Sequence, residues 1–475
     1  MLGVDGNVVG SLVGLQPFKE SFGYEYNGEY LLPAHWLGAF NYANNLGAVI
    51  GSLLAGAAYD RFGPRKVIAA CSVLSMGIIF VQFFAETSAQ LFTGELINGI
   101  VIAFYPIVAS AYVGEVCPLA LRGFAASMTN LAFVIGQFIA AGILKGTNTI
   151  DTNYAYKIPL ATQWILPAVM LAFIYFCPDP PYWLCRKGKP EAARHSLTRL
   201  STSNINVDIK LAHVKETLAL ETSYAKRPPH FADCFKGTDL RRLIICIMAY
   251  DMQAFTGNIL FISYAVYFFE TAGLDSSNAF SFNLGLKGLG FAGTVVSWFL
   301  MSRIGRRTAY LWGCGSLMVL LFLIGALDVV QDKQNDNAAV WAQCVMLMLC
   351  NLVYDTTLGP FCYVLLAEVS AVHLRGFSVA IATVTVQILS IVFSVSIPYT
   401  MQEDEANWGG KVGFLFAGLS LLCLVYCFFG LPETKARTFE ELDIMFVREV
   451  PSRRFRDYNV DAPEEVRRQF RRTQE

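Results

Sequence analysis

Twelve apolar stretches, most close to 20 residues long, run through this 475-residue chain. A helix needs roughly 20 apolar residues to cross the hydrocarbon core of a bilayer. The stretches fall at 3–20, 36–59, 67–86, 91–113, 124–145, 159–177, 241–268, 280–302, 308–328, 340–367, 377–399 and 412–430, and are numbered spans 1 to 12 in that order. A polar, basic stretch at 178–240 divides them into six and six. Charged residues make up 15% of the chain, against about 25% in a soluble domain. These features predict an all-α membrane protein of twelve transmembrane helices in two six-helix bundles, residues 1–177 and 241–430. A linker with short helices (178–240) joins them, and a tail (431–475) follows.

One phrase is written twice. Residues 115–123 read Glu-Val-Cys-Pro-Leu-Ala-Leu-Arg-Gly, and residues 368–376 read Glu-Val-Ser-Ala-Val-His-Leu-Arg-Gly. Each copy follows a long apolar segment. Duplicated membrane units with a substrate site between them are a common plan of secondary transporters, and the two bundles are expected to be pseudo-symmetric.

Charge sets the orientation. Arg61, Arg65, Lys66, Arg122, Arg186, Lys187, Lys189, Arg241, Arg242, Arg303, Arg306, Arg307 and Arg375 fall on one set of loops. The opposite loops hold Glu25, Glu29, Glu86, Asp275, Asp328, Asp332, Glu403, Asp404 and Glu405. The basic side is cytoplasmic by the positive-inside rule, which places both termini and the central loop in the cytosol. No cleavable signal is visible; span 1 starts almost at Met1, which reads as a trimmed N-terminus. A net charge of −1 gives no reason to expect nucleic acid. The 12 Cys lie mostly in apolar runs without metal-ligand spacing and read as packing residues. Gly47, Gly51 and Gly56 in span 2, and Gly285, Gly288, Gly290 and Gly293 in span 8, allow close helix approach, either as general packing or as contacts on which the halves rock.

Three loop elements recur in the same order in each half. Span 2 is followed by Asp60-Arg61-Phe62-Gly63-Pro64-Arg65-Lys66, and span 8 by Ser302-Arg303-Ile304-Gly305-Arg306-Arg307. The Glu…Arg-Gly phrases come next. Span 6 ends in Pro178-Asp179-Pro180-Pro181, and span 12 in Leu431-Pro432-Glu433-Thr434-Lys435. Over almost the whole chain this set resembles the major facilitator superfamily, and within it the sugar porter family. The resemblance implies cytoplasmic ion-pair networks that close the inner gate. Their members here would be Asp60, Arg61, Arg65, Glu115, Arg122, Asp179, Arg303, Glu368, Arg375 and Glu433. It also implies a helical cytoplasmic bundle in the linker, near 187–220. The chain departs from the family pattern at Ser302, where an acid is usual, and at Asp179-Pro180-Pro181-Tyr182, where the family has Glu-Ser-Pro-Arg.

Within the family, Gln253-Ala254-Phe255-Thr256-Gly257-Asn258 in span 7 is similar to fungal maltose and α-glucoside permeases. Tyr363 and Glu95 stand where hexose carriers have Trp and Arg. The resemblance implies sugar contacts from Gln137, Gln253, Asn258, Asn283, Tyr363 and Gln387; buried amides also serve as helix–helix glue. Asn44, Asn45, Asn98 and Asn351 read as structural. It implies a proton site at Asp5, with Glu95 as a second acid within the spans. Asp5 at an exposed helix end, and Glu95 at the interface, are the plainer readings. Thr383-Val384 stands where the α-glucoside group often has Arg-Asn, and Leu2 where it has Glu, so facilitated diffusion stays open beside symport. The charged tail is expected to be disordered or to lie on the membrane surface. The overall expectation is a monomeric, plasma-membrane importer of an α-glucoside with a proton. It takes no cofactor or metal, binds no nucleic acid and is no enzyme. A carrier of another sugar, polyol or small metabolite, a non-transporting sugar sensor, and a non-functional truncated copy are the alternatives.

Overall fold

The computed structural model describes residues 1–458 apart from 27–28, 118, 202–205, 225–230, 335–336, 372–373, 403–405, 436 and 438. The side chains of Arg122 and Arg375 also lie outside the described residues, as do Glu403, Asp404 and Glu405 and everything beyond 458.

The chain is almost entirely helical, and the twelve spans are all present. Among the described residues nine helices are long and apolar enough to cross a membrane. The other three spans are the first, second and seventh. Span 2 is one helix, Ala34–Phe62, whose apolar run is interrupted by Asn41, Asn44 and Asn45. It stops at Gly63, whose φ of +84° only glycine adopts easily, and Pro64 then opens span 3 where its missing N–H costs nothing. Thr87 and Gln90 form a reciprocal capping box at the start of span 4. Asp275 caps span 8 by accepting from the Asn278 N–H at 3.3 Å.

Five spans expected to be continuous are broken. Span 4 is Ser88–Ile102 and then Phe104–Val116, and span 6 is Tyr154–Thr162 and then Ile165–Ile174. Span 1 is Leu2–Leu12 and then Gln16–Phe22. Span 10 is Asn337–Thr356 and then Leu358–Val369, because Pro360 cannot donate to the preceding turn. Span 7 is Gly237–Phe255, a single turn Asn258–Ile262, and Ala265–Thr271. Its first break turns on Gly257, at φ +77°. The loop after span 1 holds a short antiparallel hairpin, Tyr24–Tyr26 against Glu29–Leu31, an addition to the all-α expectation.

Gly47 and Gly51 of span 2 pack within one half, whereas Gly56 meets no neighbour. A Cβ at Gly47 would collide with the Leu96 carbonyl of span 4, and one at Gly99 with the Asn44 carbonyl of span 2. Spans 2 and 4 therefore touch backbone to backbone. This is packing inside a half rather than a contact between halves.

The start of the tail folds back, contrary to the surface expectation. Helix Phe439–Val447 buries Leu442, Met445 and Phe446 against the bundle, and Phe455 packs on Phe446. Arg242 at the start of span 7 pairs with Asp443 at 2.5 Å. The linker forms helices Pro181–Arg186, Pro190–Leu200 and Val207–Tyr224, which share a small core of Leu184, Ala193, Leu197 and Leu211.

The two halves meet firmly at the end that carries the acidic loops. There Lys19 pairs with Glu270 at 3.0 Å, Gln402 donates to the Leu32 carbonyl at 3.1 Å, and Ser276 reaches the Gly14 carbonyl at 3.3 Å. Gly10 lies directly on the Ser263 carbonyl. At the basic end the described ion pairs of the bundle each join residues of the same half. The halves are thus closed together at the acidic end.

Candidate functional site

The bundle holds three polar sets at different depths. The first surrounds Asp5, which is 2% exposed in the first turn of helix Leu2–Leu12. Asn98 of span 4 donates to its Oδ1 at 2.8 Å, and Asn44 of span 2 donates to Oδ2. The backbone crossing at Gly47 and Gly99 brings these two amides to the carboxylate. Glu95, one helical turn before Asn98, is fully buried and accepts from Gln82 Nε2 at 2.8 Å. Both acids are buried within the protein, so Asp5 does not lie at an exposed helix end. Asn44 and Asn98, read as structural from sequence, are the direct partners of Asp5.

The second set joins spans 7 and 10. Tyr354 donates its hydroxyl to Gln253 Oε1 at 2.7 Å, and Asn258 lies beside the same hydroxyl. Tyr363 packs edge-on to Tyr250 at 6.1 Å. Gln253, Asn258 and Tyr363 are thereby gathered on one wall, with Tyr354 and Tyr250 between them. The Gln253 Nε2 group is buried without a partner among the described residues. Asn283 in span 8 is fully buried with both amide atoms unpartnered. Unmet amide donors and acceptors suit sugar hydroxyls, which donate and accept at once. Gln137 stands in the opposite half, where its backbone carbonyl accepts from Asn7 at 3.0 Å. Gln387 is half-buried in span 11.

The third set lies at the basic end. Glu115 accepts from the Trp183 N–H at 3.1 Å and faces Arg186 at 3.7 Å. Burial pushes its carboxyl above the usual range, and Arg186 opposes the shift. In the second half Glu368 takes a two-pronged bond from Arg306, at 2.8 and 3.2 Å, and a third from Thr434. Glu433 accepts from the Arg306 N–H at 2.8 Å. Arg65 donates to the Tyr175 carbonyl and stacks on its ring, while Asp60, Arg61 and Arg303 are exposed. Asp179 contributes its backbone carbonyl, to Ser196. Among the described residues, the basic partners of the two repeated glutamates are Arg186 and Arg306, which the repeated phrase does not contain.

Sequence reading counted Asp5 and Glu95 as the acids within the spans. Away from the span ends, Asp251, Lys287 and Asp355 are further buried charged side chains within the spans. Asp251 accepts from Thr385 at 3.0 Å. Asp355 accepts from Asn130 of span 5 at 3.3 Å, and Asn130 also reaches Thr294 at 3.2 Å, so this contact crosses between the halves. The signal was available, since a charged residue inside any apolar run is costly in lipid.

A family model described as "Sugar (and other) transporter" matches residues 1–446. A general alpha-glucoside permease of Saccharomyces cerevisiae is 31% identical over 470 residues, covering 97% of this chain and 75% of that protein. A maltose permease, MAL31, of the same organism is 29% identical over 469 residues, covering 97% and 75%. Among solved structures, the Escherichia coli xylose transporter XylE in a partially occluded inward-open conformation superposes with a TM-score of 0.75 at 19% identity, covering 92% of this chain and 96% of that one. XylE bound to 6-bromo-6-deoxy-D-glucose, described as a major facilitator superfamily proton:xylose symporter, gives 0.75 at 21% identity, covering 94% and 96%.

Proposed function

Since the chain belongs to the family of sugar (and other) transporters, we propose that it carries an α-glucoside such as maltose inward across the plasma membrane, one proton moving with each sugar. The observation that carries the symport reading is Asp5. Its carboxylate is buried near the start of span 1 between two neutral amides, Asn44 and Asn98. Neutral partners can hold either protonation state by rotating donor or acceptor toward it. A carboxyl in such a place loads and releases a proton as solvent reaches it from one side and then the other.

The sugar is held by Gln253, Asn258 and Tyr363 on one wall, with Gln137 opposite and Asn283 and Gln387 contributing from spans 8 and 11. Similarity to the alpha-glucoside and maltose permeases supports the choice of sugar. The basic loops face the cytosol. Closure at the acidic end then makes this an inward-facing arrangement, from which sugar leaves to the cytosol. When the basic end closes instead, Asp60, Arg61, Arg65, Glu115, Arg122, Asp179, Arg303, Glu368, Arg375 and Glu433 rearrange into contacts between halves.

Uptake of labelled maltose and of labelled glucose, in cells lacking their own sugar carriers, tests the reading. Maltose uptake that collapses with a proton uncoupler is expected. Uptake of glucose alone would overturn the substrate, and uptake indifferent to the uncoupler would overturn the symport.

A further inference from the structure

Span 7 is broken where one side chain of another helix can hold it. The turn Asn258–Ile262 is five residues long, and the chain bends again at Ser263 and Tyr264. So short a helix leaves its last carbonyls without partners of its own, and within a bilayer such groups must be met from inside the protein. Lys287, fully buried in span 8, meets them. Its ammonium donates to the Phe261 carbonyl at 2.7 Å and to the Ile262 carbonyl at 3.2 Å. An ammonium has three donors, so this leaves one over. Asp355 of span 10 exerts an attractive field on it and lies against Gly290, three residues further along span 8. A side chain at Gly290 would collide with the Asp355 carboxylate. Lys287 therefore bonds the broken backbone of span 7 and lies in the field of a second, unbonded acceptor, the carboxylate on span 10.

Beyond the break lies the segment that closes the acidic end. Glu270 pairs there with Lys19, Val266 packs against Gly14, and Ser263 lies on Gly10. We propose that Lys287 is a positioning residue that sets whether this end opens. Its ammonium on the Phe261 and Ile262 carbonyls holds the Ala265–Thr271 segment against span 1. Moving the ammonium onto Asp355 frees the segment. Two discrete partners for one cation make a two-state element, and Asp355 ties it to the other half through Asn130. This holds for any sugar, and whether or not a proton is carried.

The test reads the acidic end directly. Val266→Cys places a thiol in the closed contact, and a membrane-impermeant maleimide reports its exposure; the same protein without that substitution gives the background from native cysteines. Adding Lys287→Met should raise the labelling rate at least about tenfold, because the carbonyls lose their clamp. Adding Asp355→Asn should lower it at least about threefold, because the ammonium loses its alternative partner. Lys287→Arg, which keeps the donors, should stay within about twofold of the parent. Labelling unchanged in Lys287→Met would make the lysine structural only. Both variants moving in the same direction would show general loosening and overturn the switch. Rates are compared on protein recovered folded from size-exclusion chromatography. If Lys287→Met is not recovered, Asp355→Asn decides: a fall supports the switch, while no change or a rise overturns it.

Discussion

Lys19 and Glu270 stand 251 positions apart in the sequence and meet at 3.0 Å, joining the first half of the molecule to the second. Their side chains are 20% and 15% exposed, so the pair lies between a surface bridge, typically ~0.2–1 kcal/mol, and a buried one, where removing one partner costs ~3–5 kcal/mol. Lys19→Ala should lower the stability of the closed state by about 1–2 kcal/mol, seen as a lower melting temperature of the purified protein. The charge-swapped double variant Lys19→Glu with Glu270→Lys should recover most of the loss. Failure of the swap would mean that packing, not charge, holds the two segments.

The two repeated glutamates should prove unequal. Arg306 grips Glu368 with two nitrogens in a half-buried setting, whereas Arg186 stands 3.7 Å from Glu115 and is 47% exposed. Two-pronged arginine–carboxylate bonds are the stronger kind. Arg306→Ala should therefore destabilise more than Arg186→Ala, by about 1–2 kcal/mol in thermal unfolding.

Glu115 also gives a pH dependence with a definite sign. Its folded-state pKa is raised by burial, so the folded protein binds the proton more readily than the unfolded chain. That contribution to stability is complete below the ordinary glutamate pKa and is lost as pH rises through the raised folded value. Melting temperature against pH should thus rise on acidification across that window in the parent, and Glu115→Gln should flatten this part of the curve.

The proposed sugar wall separates recognition from stability. Tyr354→Phe removes the bond that orients Gln253. It should raise KM for maltose roughly tenfold, about 1.4 kcal/mol, with a smaller change in maximal rate. Asn283 is a buried amide with neither end met, a state that costs roughly 1–3 kcal/mol. Asn283→Leu should therefore raise the melting temperature while impairing uptake. An equal loss of both would assign Asn283 to the fold alone.

Much of this was legible in the sequence, and the rest was hidden for identifiable reasons. Apolar run length gave the spans, and the twice-written phrase marked Glu115 and Glu368 as equivalent. The breaks in spans 1, 4, 6, 7 and 10 were not marked, because an apolar run does not show where its backbone turns; only Gly257 and Pro360 hinted at two of them. The partners of the repeated glutamates came from other loops, since spacing along a chain does not say which arginine folds toward which acid. Asn44 and Asn98 looked like helix glue because their value depends on the crossing at Gly47 and Gly99. The same crossing carries a consequence: Gly99→Ala should separate spans 2 and 4 and weaken proton-driven uptake without touching the sugar residues. Lys287 and Asp355 were missed for a simpler reason, as each sits inside a run read only for its apolarity.

The most direct test of symport through Asp5 is accumulation of labelled maltose in proteoliposomes under an imposed inward proton gradient, for the parent and for Asp5→Asn. The parent should concentrate maltose above the outside level. Asp5→Asn should lose accumulation while still exchanging maltose at equal concentrations on both sides. Accumulation by Asp5→Asn equal to that of the parent would contradict Asp5 as the proton site.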